Sequence, residues 1–275
     1  MKALVICGDH PRNCYLVKKL LEIKKIELLR VILFKRDKLL PAAPSSLSED
    51  LKKLWNLHFE KRNIAENKRF NFKLEDIYDS KKIIKINNTN DLKEDNLAKQ
   101  ILDLNLDICF ISGIPIIKEE AMKLLPIFTI NLHLGLIPHY KGSITMFWPF
   151  YFLQPTMAGT TFHIIDKFVD TGEILHNNVP KLEIGDGMHD VAAKAVIEAN
   201  NDLKLVVDHV EKRIKNSKPP IKDPTLRFKG KLFLKSDWKP EMLRKIYETY
   251  NDKIVDLYLK KEILSPIPTL KQIIK

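Results

Sequence analysis

Lys2-Ala3-Leu4-Val5-Ile6-Cys7, then Gly8-Asp9-His10-Pro11-Arg12, then Tyr15 to Ile23 and Leu28 to Phe34: this stretch decides the fold. The first piece is an apolar run too short for a helix, the pattern of a strand covered on both faces. Gly8 to Arg12 makes a turn. Leu16, Leu20 and Ile23 then recur at helical spacing, and Leu28 to Phe34 is a second apolar, β-branched run that ends at Lys35-Arg36-Asp37. Strand, helix, strand in this order opens a doubly wound α/β sheet. The first turn holds one glycine and no G-x-G-x-x-G, which argues against a nicotinamide or flavin cofactor in the usual place.

Further along, Ile83 to Ile86 reads as a short strand, followed by a turn-rich loop and a helix through Ala98, Ile101 and Leu104. Asp107 to Ser112 is the most buried-looking strand of this half and ends at Ser112-Gly113, where backbone without a side chain can approach a ligand. Phe128-Thr129-Ile130 then leads into Asn131-Leu132-His133-Leu134-Gly135-Leu136-Ile137-Pro138. Residues two apart on a strand share a face, so Asn131 and His133 point together while Ile130 and Leu132 point away. An amide donor beside an imidazole suits the polarisation of a carbonyl. The same pair also suits a core His and Asn satisfied by backbone.

Pro41 to Phe72 reads as a polar insertion, helical from Leu47 to Asn67 with Ser48 as N-cap. His58, Arg62 and Glu66 share one face of that helix, either as ion pairs open to water or as a grip on a charged substrate. Among the aromatics of Ser143 to Phe152, most belong to the core. Gly159 to Ile165 alternates as a half-buried strand, Asp166 to Gly172 is a polar loop carrying Asp170, and Ile174 to Leu175 is the next strand. One long helix is expected from an Asp186 cap to near Lys215. Asn216-Ser217-Lys218-Pro219-Pro220 then breaks the chain into residues 1–215 and a small C-terminal appendage, 216–275, with a helix from Pro240 past Tyr247.

Composition bounds the rest. The chain has 275 residues, 45% hydrophobic and 29% charged, ordinary for a globular domain. No apolar run is long enough to span a bilayer, so no membrane partner is expected. The N-terminus lacks a small-residue cleavage site, and Cys7, Cys14 and Cys109 form no C-x-x-C pair. Buried free thiols in the cytoplasm are the expectation. The net charge of +11 is spread along the chain rather than gathered in a stripe. That points away from nucleic acid, although an anionic small substrate fits.

Asp170 follows the next strand after His133 and can orient the imidazole or relay a proton. With no Ser or Cys nucleophile beside it, this set suggests direct transfer to an incoming amine. At these residues the chain resembles the formyltransferases that use N10-formyltetrahydrofolate. Asn131 to Gly142 is similar to the signature N-x-H…L-(L/I)-P…G, and Gly159 to Gly172 to the signature G-x-T-x-H…(L/V)-D-x-G. The resemblance implies an α/β, Rossmann-like formyltransferase fold with a mostly parallel twisted sheet. It assigns catalysis to Asn131, His133 and Asp170, with His163 in support, and involves no metal. Asn131 would bind the formyl oxygen, His133 would be its electrophilic or acid partner, and Asp170 would hold the His and help deprotonate the amine. Ser112, Gly113, Ile114, Asp166 and Val169 would contact the folate. Gly135 stands where the family has Ser, and Lys141-Gly142-Ser143-Ile144-Thr145 replaces the R-G motif of the methionyl-tRNA enzymes. The C-terminal segment is also short for a tRNA-binding barrel. What remains looks like the sugar N-formyltransferases, which act on nucleotide-linked (for example dTDP-linked) amino sugars for surface polysaccharide such as lipopolysaccharide O-antigen. Arg12, Arg62 and Lys141 are then the expected contacts to the substrate diphosphate. A homodimer is compatible with this reading, and formylation of an aminoacyl-tRNA is the alternative.

Overall fold

Apolar runs without polar alternation need cover on both faces, and the chain supplies it by winding helices over a seven-stranded sheet. In the computed structural model, which describes residues 1–36 and 38–273, the sheet order is β3-β2-β1-β4-β5-β7-β8. The strands are β1 (Lys2–Gly8), β2 (Glu27–Phe34), β3 (Ile83–Ile86), β4 (Ile108–Ser112), β5 (Thr129–His133), β7 (Thr160–Ile164) and β8 (Ile174–Asn178). β1 to β5 run parallel, and β7 is antiparallel to both of its neighbours. Asp37, at the end of the second apolar run, lies outside the described residues. The winding reverses between β1 and β4, the place where doubly wound sheets open a crevice at their carboxyl ends.

Alternate residues of β1 serve different cores. Ala3, Val5 and Cys7 pack with Leu16 and Leu20 of α1 (Pro11–Leu21) and with Val206 and Val210 of α7 (Leu203–Lys215). Leu4 and Ile6 pack on the other side with Ile101 of α3 (Asp95–Asp103). The fold is the expected one, a mostly parallel α/β sheet.

Several local expectations change. β7 is buried at every residue rather than half-buried, because it lies between β5 and β8 instead of at an edge. β8 runs on through His176-Asn177-Asn178, polar residues that each hydrogen-bond through the side chain. Asn178 Nδ2 donates to Asp202 Oδ2 (2.6 Å), and His176 Nε2 lies 3.2 Å from the same oxygen. The single long helix is two, α6 (Met188–Asn201) and α7, broken at that same Asp202. Asp186 sits just before α6, accepting from Glu183 N and Lys194 Nζ, and Gly187 occupies the cap. On α2 (Glu49–Arg69), His58 and Glu66 are buried, so that face is not open to water.

The C-terminal residues share a core with the rest. β9 (Lys231–Phe233) pairs in parallel with β6 (Tyr140–Gly142), and Phe233 stacks on Trp148 with ring centres 4.6 Å apart. Leu243, Ile246, Tyr247, Ile254 and Val255 join Phe147, Trp148 and Phe150 in that cluster. The helix expected from Pro240 is a 3-10 turn (Pro240–Met242) followed by a wider π turn at Lys245–Thr249.

Candidate active site

Strand alternation builds the first half of the site. Ile130 and Leu132 enter the apolar core, which turns Asn131 and His133 to the opposite face of β5. Antiparallel pairing then sets His163 of β7 directly across from Asn131. Asn131 Nδ2 donates to His163 Nε2 at 3.1 Å.

The loop after β7 brings the carboxylate. Asp166 accepts from Phe168 N (3.0 Å) and Thr171 Oγ1 (2.8 Å), folding the loop back on itself. Gly172 passes so close to β7 that a Cβ there would meet Ile164 O at 1.8 Å. Asp170 adopts a left-handed backbone, φ 52°, which an Asp tolerates better than most residues. Its carboxylate lands between the two rings: Oδ2 is 3.4 Å from His133 Nδ1 and Oδ1 is 3.3 Å from His163 Nε2. Gly142 N donates to Oδ2 at 2.7 Å.

Each imidazole turns its other nitrogen to a carbonyl, which accepts and so fixes a proton there. His133 Nε2 donates to Tyr140 O at 2.9 Å, and His163 Nδ1 donates to Ile164 O at 3.0 Å. A proton arriving on either remaining nitrogen therefore lands beside Asp170. Burial pushes the His133 ring below its ordinary value, against the pull of the Asp170 charge. Burial alone would raise the Asp170 carboxyl, but the His133 and His163 rings and the Gly142 N–H hold it well below the usual carboxylate range. At neutral pH the centre is an anion flanked by a neutral His133.

Side-chain reading of the sequence missed the backbone contributors, Tyr140 O and Gly142 N, although Tyr140-Lys141-Gly142 stands inside the quoted motif. It also missed Thr161. That hydroxyl donates to Gly135 O (2.7 Å) and accepts from Ile137 N and Asn177 Nδ2, bracing the turn after β5. Gly135 itself is required: a Cβ there would sit 2.6 Å from His133 Nε2 and 2.7 Å from Tyr140 O.

The five residues expected at the folate fall on two segments flanking this centre. Ser112 ends β4, whose Ile111 pairs with Asn131, and Gly113 and Ile114 follow it directly. The space beside Gly113 is occupied by the Asn13 side chain, 2.6 Å from where a Cβ would stand, so its missing side chain serves chain packing. The Asp166 carboxylate accepts bonds within its own loop, and both Asp166 and Val169 are half-buried. The three basic residues separate. Arg12 pairs with buried Glu66 at 2.9 Å, and Arg62 donates to Leu39 O and lies over Phe59. Lys141 is buried under the Asp170 loop, its ammonium donating to Leu226 O (3.1 Å) and Arg227 O (3.2 Å). Among the described residues no group of three or more His, Cys, Asp or Glu is placed to hold a metal, and no helix is long and apolar enough to cross a membrane.

The formyl transferase family matches residues 60–207, more than half of the chain and all of the cluster of Asn131, His133, His163 and Asp170. The chain belongs to the formyl transferase family. Among its relatives is the methionyl-tRNA formyltransferase of Thermodesulfovibrio yellowstonii, 26% identical over 129 residues, covering 46% of this chain and 42% of that protein. The chain thus spans about half the length of the relatives it matches. Two solved structures share the fold. Glycinamide ribonucleotide transformylase 1 from Symbiobacterium toebii superposes with a TM-score of 0.53 at 14% identity, over 78% of this chain and 89% of that one. The formyltransferase PseJ from Anoxybacillus kamchatkensis, solved with UDP-4,6-dideoxy-4-formamido-L-AltNAc and tetrahydrofolate, gives 0.50 at 18%, over 94% and 97%. At such identities the likeness speaks for the fold alone, and the two neighbours bear different names.

Proposed function

We propose that this protein transfers a formyl group from N10-formyltetrahydrofolate to the amino group of a nucleotide-linked amino sugar, as a step toward a surface polysaccharide. One observation carries the reading: Asp170 lies between two imidazoles with the Asn131 amide alongside, while the three thiols are buried. This donor set fits a formyl donor, since it offers one amide for an oxyanion and one anion for a proton and needs no covalent acyl-enzyme. When bound, the folate supplies the formyl carbon. As the amine attacks, Asn131, the half-buried member of the group, donates its amide N–H to the formyl oxygen. The amine's proton passes, directly or through one water, to Asp170 or to the His133 nitrogen that faces it, where the carboxylate holds it; the same group would return that proton to N10 as the C–N10 bond breaks and tetrahydrofolate leaves. Residues 1–215 carry this chemistry and 216–275 form an appended wall, and the buried free thiols fit a cytoplasmic setting.

The choice of a sugar amine is supported by PseJ, which carries a formylated UDP-sugar and matches this chain over nearly its whole length. The test is incubation with N10-formyltetrahydrofolate and a panel of nucleotide-linked amino sugars, read by mass for a formyl gain. No gain on any sugar, together with a gain on glycinamide ribonucleotide, would reject the sugar assignment. The names of the sequence relatives favour a second reading, formylation of methionyl-tRNA. That reading requires tRNA binding that weakens steeply with salt. Absence of binding at low salt removes it.

A further inference from the structure

Of the cations that meet beside the site, the sequence singles out one, Lys141. A groove of about 350 Å³ runs along the outer side of the Asp170 loop, lined by Lys141, Lys167, Phe168, Val169, Thr171, Arg227 and Leu232. Three of these seven residues are cationic and none is acidic. Arg227 lies over the Phe168 ring at 4.0 Å and Lys167 over the same ring at 5.1 Å, so two charges converge on one aromatic platform. Neither forms an ion pair among the described residues, whereas Lys25, Lys194 and Arg244 each meet two carboxylates.

The groove is built rather than incidental. Lys141, buried, ties the turn that carries Arg227 to the floor through Leu226 O and Arg227 O. Two glycines press the far wall into place. A Cβ on Gly230 would meet Pro138 O at 1.7 Å, and one on Gly142 would meet Phe233 O at 2.2 Å. Gly142 also donates to Asp170, so one tripeptide, Tyr140-Lys141-Gly142, fixes the carboxylate and the groove together. Thr171 of the groove follows Asp170 in the chain, so the groove borders the loop that carries the carboxylate.

We propose that this groove is an anion subsite of the formyl-transfer site, with Arg227 and Lys167 holding a multiply charged group, phosphate or carboxylate, of one of the two reactants. The proposal rests on the formyl-transfer reading for the name of those reactants. The anion has two sources, the diphosphate of a nucleotide-linked acceptor and the carboxylate tail of the folate donor. A planar base or aryl group beside the anion would find the Phe168 ring.

The test measures binding without turnover, so it succeeds or fails apart from the search for a formylated product. The full chain is titrated calorimetrically with UDP and, separately, with 5-formyltetrahydrofolate triglutamate. The titrations are repeated with R227E and with the double variant Lys167→Ala/Arg227→Ala. Both positions are exposed, and unchanged circular dichroism and thermal midpoint confirm the fold. Loss of two charge-assisted contacts is expected to weaken one probe by about 10- to 100-fold and to flatten its salt dependence. A loss confined to UDP assigns the groove to the acceptor. A loss confined to the triglutamate assigns it to the donor. Unchanged affinity for both probes in both variants overturns the subsite.

Discussion

Two pairs of neighbouring imidazoles lie among the described residues, and they differ by one carboxylate. His133 and His163, with ring centres 6.2 Å apart, share Asp170. His58 and His189, 4.6 Å apart between α2 and α6, share none. His58 Nδ1 accepts from Tyr247 OH at 2.9 Å and lies 3.3 Å from His189 Nε2, with Arg62 and Arg12 near enough to act on the pair. Burial, reinforced by Arg62, takes His58 from 6.5 down to about 3, and His189 is pushed well below its usual value. Such rings are neutral packing groups with a polar edge. Around Asp170 the same burial leaves an anion that can stabilise an incoming proton. The carboxylate, not the histidines, distinguishes the pair of the proposed site from the pair between α2 and α6.

The sharpest way to break that contrast is to remove the charge while keeping the shape. Asp170→Asn should lower kcat on the order of 10³-fold in initial-rate assays of formyl transfer at saturating donor. Asn131→Ala should cost about 10²- to 10³-fold through the lost oxyanion donor. An Asp170→Asn enzyme with near-normal kcat would place both histidine pairs in the same structural class. Behind the loop, the contrast extends to stability. Glu173, soon after Gly172, pairs with Arg213 at 2.8 Å and accepts from Ile221 N, both partners being largely buried. Arg213→Ala strands that carboxylate and should destabilise the fold by about 3–5 kcal/mol in urea unfolding. A cost below about 1 kcal/mol would mean that water takes the place of Arg213.

The difference between the pairs was only half legible in the sequence. Periodicity put Asn131 and His133 on one face of β5, and the two spaced signatures pointed to Asp170. The doubly wound sheet also followed from three apolar runs. The groups that fix the site are mostly backbone, namely Tyr140 O, Ile164 O and Gly142 N, and sequence patterns do not display where a carbonyl points. Arg12 and Arg62 looked like substrate contacts because they are charged, but one is paired with Glu66 and the other donates to the Leu39 carbonyl. Arg227 and Lys167 went unnoticed because their meeting depends on β9 pairing with β6 across a long chain separation. The break between α6 and α7 was hidden for the same reason: Asp202 serves β8, not its own helix.

Acid separates the two pairs by window. His58 is neutral when folded and has its value depressed to about 3, so between about pH 6.5 and 3 the unfolded chain binds the extra proton. Stability from this group is full above about 6.5 and is lost as pH falls, by a few kcal/mol at most. Asp170, depressed as a carboxyl, contributes stability above its ordinary range near about 4 and loses it only below that. His58→Gln should therefore flatten the decline in thermal midpoint between pH 6.5 and 4, while Asp170→Asn should not flatten it, because loss of the Asp170 charge leaves His133 further depressed. Equal flattening by both would mean that the pairs titrate as one system.

The smallest effect tests how the carboxylate-free pair is held. Tyr247→Phe removes the hydroxyl that donates to His58 Nδ1 and leaves the ring volume in place. His58 Nδ1 also lies 3.3 Å from His189 Nε2, a second polar neighbour that can take up the bond when the hydroxyl goes. The loss should stay near that of one neutral hydrogen bond, about 0.5–1.5 kcal/mol in urea unfolding. A cost of several kcal/mol would show that His189 cannot take up the bond, and that the pair depends on Tyr247 as the His133–His163 pair depends on Asp170. The C-terminal segment, which carries Tyr247, would then hold α2 and α6 together through a single hydroxyl rather than through the apolar cluster around Ile246 and Val255.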